Sequence, residues 1–141
     1  MVDQEVLNLI PQRAPFLFVD KIISRNNQEI ICEKLLTGKE DFFKGHFPAN
    51  PIMPGVLLQE CCFQAGALLM ATGQSTGLGV VTRVDKAKFK NFAHPQDKLT
   101  IEVKLKEQLS NAYFMSGKVK VAGKVIMLID FACALVEGNK S

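Results

Sequence analysis

Apolar side chains at Val6, Leu7 and Ile10 share one face of a helical segment, so residues 3–10 are expected to form a short amphipathic helix. Pro11, which lacks an N–H, ends it. Residues 16–24, rich in apolar and β-branched side chains, predict a strand, and Asn26-Asn27 marks a turn into a second strand over residues 28–37. Residues 38–54 hold Gly45 and prolines at 48, 51 and 54, a pattern that predicts neither regular helix nor central strand. From Pro54 to about Thr72 the pattern becomes apolar on nearly every side, predicting a buried helix of roughly 28 Å with Gly73 as its C-terminal cap. Four strands are expected after it. Residues 78–92 form the first. Residues 98–109 follow, with Leu99, Ile101, Val103 and Leu105 on one face. Residues 113–121 and 124–136 flank Gly123 as a hairpin, and the last run, nearly all apolar, is expected to be central.

One long buried helix and about six antiparallel strands make an α+β protein, with a curved sheet wrapped around a central helix in a single domain over residues 1–141. One sheet cannot hide every side of such a helix, so pairing with a second copy, at least a homodimer, is expected. Composition narrows the function classes. A net charge of +3 across 141 residues is too mild and scattered for nucleic acid, though it permits an acidic partner. Cys32, Cys61, Cys62 and Cys133 have neither disulfide-framework nor zinc spacing and read as buried thiols in a reducing compartment; no metal is expected. The most apolar stretch is interrupted by Gln59, Glu60 and Gln64, so no membrane span is expected. The N-terminus does not read as a signal peptide, which points to a cytoplasmic protein.

Chemistry concentrates where the irregular stretch meets the helix. His46 sits in a Gly-Pro loop whose prolines fix the backbone, and rigid presentation of a titratable group is what catalysis needs. Glu60 lies about two turns into an apolar helix, where burial should favour its protonated form and make it a proton donor. Gln64, one turn further, is placed to orient it. Gly55 lies in the first helical turn, where an unpaired N–H with no side chain in front can receive a carbonyl oxygen that becomes negative. The same residues have plainer readings: Glu60 paired with a lysine at a helix edge, His46 bonded to backbone, Gly55 serving close packing. Arg83, Lys86, Lys88 and Lys90 form a basic run, either a solvated strand face or a dock for an acidic carrier protein.

The segment Gly45-His46-Phe47-Pro48-x-x-Pro51-Ile52-Met53-Pro54-Gly55-Val56-Leu57, followed by Glu60 and Gln64, resembles the FabZ-type (3R)-3-hydroxyacyl-(acyl carrier protein) dehydratases. Ile10-Pro11-x-Arg13-x-Pro15-Phe16-Leu17-x-Val19-Asp20 and Asp85-Lys86-Ala87-Lys88-Phe89 are similar to other stretches of that family. The resemblance implies a hot-dog fold with active sites at a dimer interface, His46 from one subunit and Glu60 from the other. It implies dehydration of 3-hydroxyacyl chains on acyl carrier protein to trans-2-enoyl chains, in fatty acid or related lipid synthesis. The histidine would take the α-proton, the glutamate would protonate the leaving hydroxyl, and Gly55 N–H would polarise the thioester. It further implies an acyl tunnel, along which Phe63 and Met53 are expected, no cofactor, and dimers or trimers of dimers. Gln12, Ala49, Phe63 and Gln96 depart from the family pattern. Two other classes on the same fold, an acyl thioesterase and a non-catalytic acyl-binding subunit, are the alternatives.

Overall fold

The computed structural model describes residues 1–71 and 78–136. Its elements are α1 (Gln4–Leu9), β1 (Lys21–Arg25), β2 (Glu29–Leu35), α2 (Asp41–Gly45), α3 (Gly55–Met70), β3 (Leu78–Phe89), β4 (Lys98–Leu109), β5 (Ala112–Val121) and β6 (Lys124–Val136). The six strands form one antiparallel sheet in the order β1-β2-β4-β5-β6-β3. As the sequence predicts, β1 and β2 form a hairpin and β6 is interior, between β5 and β3.

The strands alternate, and their inward residues meet α3. Leu99, Ile101 and Val103 of β4, Met115 and Val119 of β5, and Ile129 and Phe131 of β6 are buried. Against them α3 buries Leu58, Cys61, Cys62, Ala65, Leu68 and Leu69. Each such aliphatic side chain contributes about 1.5–3 kcal/mol when fully buried. Helix and sheet approach closely because β5 has Gly117 at the contact: a Cβ there would lie 2.9 Å from Cys62 Sγ. All four cysteines are buried and free, and burial pushes the Cys32 thiol up to about 12.

Six features differ from the pattern-based expectation. Residues 16–20 are not strand, because the backbone of Phe16 and Phe18 bonds the side chain of Gln64 rather than a neighbouring strand. The stretch expected to be irregular contains α2, which ends before the first proline at 48. Helix α3 begins one residue after Pro54 and ends at Met70; Thr72 and Gly73 lie outside the described residues. It is not buried all round, since Val56 is 70% exposed. Strand β3 stops at Phe89, short of Phe92, because the N–H groups of Lys90 and Asn91 both turn to the carbonyl of Ile126. Its lysine alternation is also broken by a bulge between Asp85 and Lys88, with Lys86 at φ 52°.

Strand β3 forms one edge of the sheet, and Val80, Val81 and Val84 on it are about two-fifths exposed. Among the described residues, no helix is long and apolar enough to cross a membrane.

Candidate active site

The loop between α2 and α3 is held by its own backbone. His46 N–H caps α2 by donating to the Phe42 carbonyl at 3.1 Å. Phe47 and Asn50 exchange two backbone hydrogen bonds, of 3.2 and 2.9 Å, which closes the turn through Pro48. Ile52 N–H then donates to the His46 carbonyl at 2.9 Å, and Met53 N–H reaches Ala93 at 2.9 Å. The proline-rich sequence therefore yields a stapled loop rather than a floppy one.

This staple also orients the imidazole. His46 Nδ1 lies 3.0 Å from the Ile52 carbonyl oxygen. A carbonyl only accepts, so Nδ1 carries the proton of the neutral ring and Nε2 keeps its lone pair. The ring stacks on Phe47 with centroids 4.2 Å apart. The plain reading of His46, a backbone hydrogen bond, is thus true, and it is the same bond that leaves Nε2 free to take a proton.

His46 lines a cavity of about 560 Å³ with Gly55, Leu58, Met53, Phe89 and Phe92. Gly55 N–H, in the first turn of α3, has no acceptor among the described residues. A Cβ on Gly55 would lie 2.9 Å from the Phe89 ring, so any larger residue here would have to displace that ring as well as stand beside the N–H. The 16-residue helix behind it adds the positive end of its dipole.

Glu60 is half-buried on another face of α3 and is in no ion pair among the described residues. Burial pushes its carboxyl above the ordinary glutamate value, partly opposed by a hydrogen bond from Gln64. Gln64 is fully buried and fully used. Its Nε2 donates to Glu60 Oε2 at 3.1 Å and to the Phe16 carbonyl at 3.0 Å, while its Oε1 accepts the Phe18 N–H at 2.8 Å. The amide is locked by two backbone groups and so fixes the carboxylate.

Within one chain Glu60 is not among the residues that line the His46 cavity. Met53 lines that cavity; Phe63 does not, packing instead edge-on against Phe131 at 5.1 Å. The basic run is divided three ways. Arg83 is held by Asp85 at 2.8 Å. Lys86 and Lys88 line a groove on the outer sheet face with Lys104, Lys106 and Lys118. Lys90 lines the His46 cavity. Sequence reading missed Phe89, Asn91 and Phe92 as cavity walls, because nothing local in their pattern reveals where β3 stops. Among the described residues no cluster of side chains could hold a metal ion.

Comparisons with known proteins bear on the family and the fold. The family model described as the FabA-like domain matches residues 10–130. The chain is 41% identical to 3-hydroxyacyl-(acyl-carrier-protein) dehydratase FabZ of Caulobacter sp. (strain K31), covering 96% of this chain and 86% of that protein. It is also 41% identical to the protein of the same name from Lactobacillus helveticus, covering 86% and 81%. Among solved structures, the dehydratase heterocomplex ApeI:P of Xenorhabdus doucetiae aligns with a TM-score of 0.83 at 15% identity, over 94% of this chain and 91% of that one. A hypothetical thioesterase from Streptococcus pneumoniae, solved with coenzyme A, aligns at 0.66 with 12% identity, over 97% and 95%. These two structural likenesses concern the hot-dog fold alone.

Proposed function

Since the chain belongs to the FabA-like family and, within it, to the FabZ-type 3-hydroxyacyl-(acyl carrier protein) dehydratases, we propose that His46 and Glu60 perform the dehydration as a base and an acid supplied by two copies of the chain. The enzyme removes water from a 3-hydroxyacyl chain carried on acyl carrier protein, in fatty acid biosynthesis. The observation that carries the division of labour is the 3.0 Å contact of His46 Nδ1 with the Ile52 carbonyl, which leaves Nε2 as the base.

The thioester carbonyl lies at Gly55 N–H in the His46 cavity. Nε2 takes a proton from C2, and the negative charge that builds on the carbonyl oxygen is met by that N–H and the helix end. The C2–H electron pair becomes the C2=C3 double bond as the C3–O bond breaks. The departing hydroxyl takes the proton of Glu60, which burial keeps available, and leaves as water. The product is the trans-2-enoyl thioester. Transfer of a proton from His46 to Glu60 through solvent restores the starting state. No cofactor takes part in this sequence.

The second copy is required because the glutamate does not line its own chain's histidine cavity. The half-exposed valines of edge strand β3 and Val56 at the start of α3 supply an apolar surface for the pairing. A homodimer is the smallest unit proposed, and a trimer of dimers is compatible with it. The carrier protein is proposed to dock through basic residues, Lys90 at the cavity and Lys86 and Lys88 on the outer face, with Arg83 contributing less because Asp85 neutralises it. Four free cysteines fit the reducing cytoplasm, the compartment proposed.

The test is conversion of (3R)-3-hydroxyacyl thioesters on acyl carrier protein, followed by mass spectrometry. Enoyl product that disappears in both His46→Ala and Glu60→Gln supports the reading. Free acid instead would identify a thioesterase, and tight binding without turnover an acyl-binding subunit.

A further inference from the structure

Among the described residues two polar or charged side chains are buried, Gln64 and Asp20. Gln64 holds Glu60; Asp20 has no part in the dehydration steps. Both act on the same piece of chain, residues 16–20. Gln64 grips its start, through the Phe16 carbonyl at 3.0 Å and the Phe18 N–H at 2.8 Å. Asp20 ends it.

Asp20 marks the point where the chain leaves the sheet. Strand β1 begins at Lys21, opposite Glu33 of β2. The Asp20 N–H still donates to the Glu33 carbonyl, at 2.8 Å. Leu35, two residues on, offers its N–H on the same side of β2, where an extended β1 would supply a backbone carbonyl. Instead the Asp20 carboxylate accepts it at 2.8 Å, with Lys34 alongside at 3.4 Å. The edge of β2 is therefore satisfied without residues 16–19, whose composition is that of a strand. Their backbone groups are left for Gln64.

This arrangement fixes the orientation of an amide. The Phe16 carbonyl requires a donor and the Phe18 N–H an acceptor, so the Gln64 amide fits one way round. Its Nε2 then always presents a hydrogen to Glu60, at 3.1 Å. A hydrogen bond from an N–H favours the carboxylate over the acid, so it helps the proton leave Glu60 as the hydroxyl departs. An amide freed from residues 16–18 can turn its oxygen to Glu60 instead, which holds the proton back.

We propose that Asp20 is a positioning residue for the acid: its carboxylate, by taking the Leu35 N–H, keeps residues 16–19 out of the sheet and so keeps Gln64 a donor to Glu60. The inference rests on the dehydratase reading above.

The test compares Asp20→Asn with Asp20→Leu. Both lose the charge that pairs with Lys34 and have similar bulk, but only asparagine keeps an oxygen for the Leu35 N–H. Folding of each is verified by thermal unfolding. On a 3-hydroxyacyl chain carried by acyl carrier protein, kcat should be about tenfold lower in Asp20→Leu than in Asp20→Asn, with KM within about twofold. In carbon-13 NMR the Glu60 carboxyl signal, identified by its absence in Glu60→Gln, should titrate at higher pH in Asp20→Leu than in Asp20→Asn. Both differences should vanish when Gln64→Met is added to each variant, since Asp20 acts only through that amide. Equal kcat and equal titration in the two variants overturn the proposal, and so does a kcat difference that persists beside Gln64→Met. If Asp20→Leu does not fold, Asp20→Ala takes its place; failure of both also overturns the proposal, because Asp20 then serves stability alone. A wild type that yields no enoyl product would instead sink the dehydratase reading, on which the titration does not depend.

Discussion

His46 and Ile52 are joined twice, by the Ile52 N–H on the His46 carbonyl at 2.9 Å and by the imidazole Nδ1 on the Ile52 carbonyl at 3.0 Å. Both contacts on the isoleucine side are backbone groups, so the orientation of the ring does not depend on which apolar side chain stands at 52. Ile52→Val should therefore keep kcat within a few-fold of wild type, whereas His46→Ala should lower it by about 10²–10⁴-fold, the usual worth of a positioned general base. Steady-state kinetics on one acyl-carrier substrate checks both.

Glu60 should make stability depend on pH. Its folded-state pKa is raised by burial, so the folded chain holds the proton longer than the unfolded chain does. Below about pH 4.3, the unfolded glutamate value, both states are protonated and stability is complete. As pH rises from there through the raised folded value, stability is lost, and above that value the loss is constant. Glu60→Gln has no such titration. Its melting temperature relative to wild type should rise over that window and then level off, as measured by thermal unfolding across pH. A difference independent of pH would contradict the assigned shift.

Gly55→Ala should be costly at two levels. The new methyl meets the Phe89 ring at 2.9 Å and stands beside the N–H assigned to the thioester oxygen. A fall in kcat of about 10²–10³, the scale of losing one oxyanion donor, is expected. Truncating Phe89 alongside relieves the contact, so the double variant should regain thermal stability more than it regains kcat.

Much of the fold was legible because its elements are consistently patterned. Strand β4 carries Leu99, Ile101 and Val103 on its buried face as the alternation requires, and the apolar run of β6 is interior. The motif placed His46 before α3 and Glu60 within it. What the sequence hid were long-range decisions. Residues 16–20 have strand composition, but their backbone is taken by Gln64, a residue more than forty positions away. Phe89 and Phe92 become cavity walls because β3 ends on the Ile126 carbonyl, which no local pattern encodes. Lys86 and Lys88 look like one stripe with Lys90, yet the end of the strand sends Lys90 to a different cavity.

That division separates two roles for the lysines. Charge reversal at Lys88 and Lys118, on the outer groove, should raise KM several-fold for substrates on acyl carrier protein. It should leave KM for the same acyl group on pantetheine nearly unchanged. Equal effects on both substrates would remove the groove from carrier docking.

The central claim is a site built from His46 of one copy and Glu60 of another, and mixing two inactive chains tests it directly. His46→Ala and Glu60→Gln homodimers should each be inert. Coexpressed and purified together at equal amounts, they should regain about a quarter of wild-type enoyl formation, since half the dimers are mixed and each carries one intact site. Mixed dimers that form in the expected proportion but yield no enoyl product would contradict a site shared between the two copies.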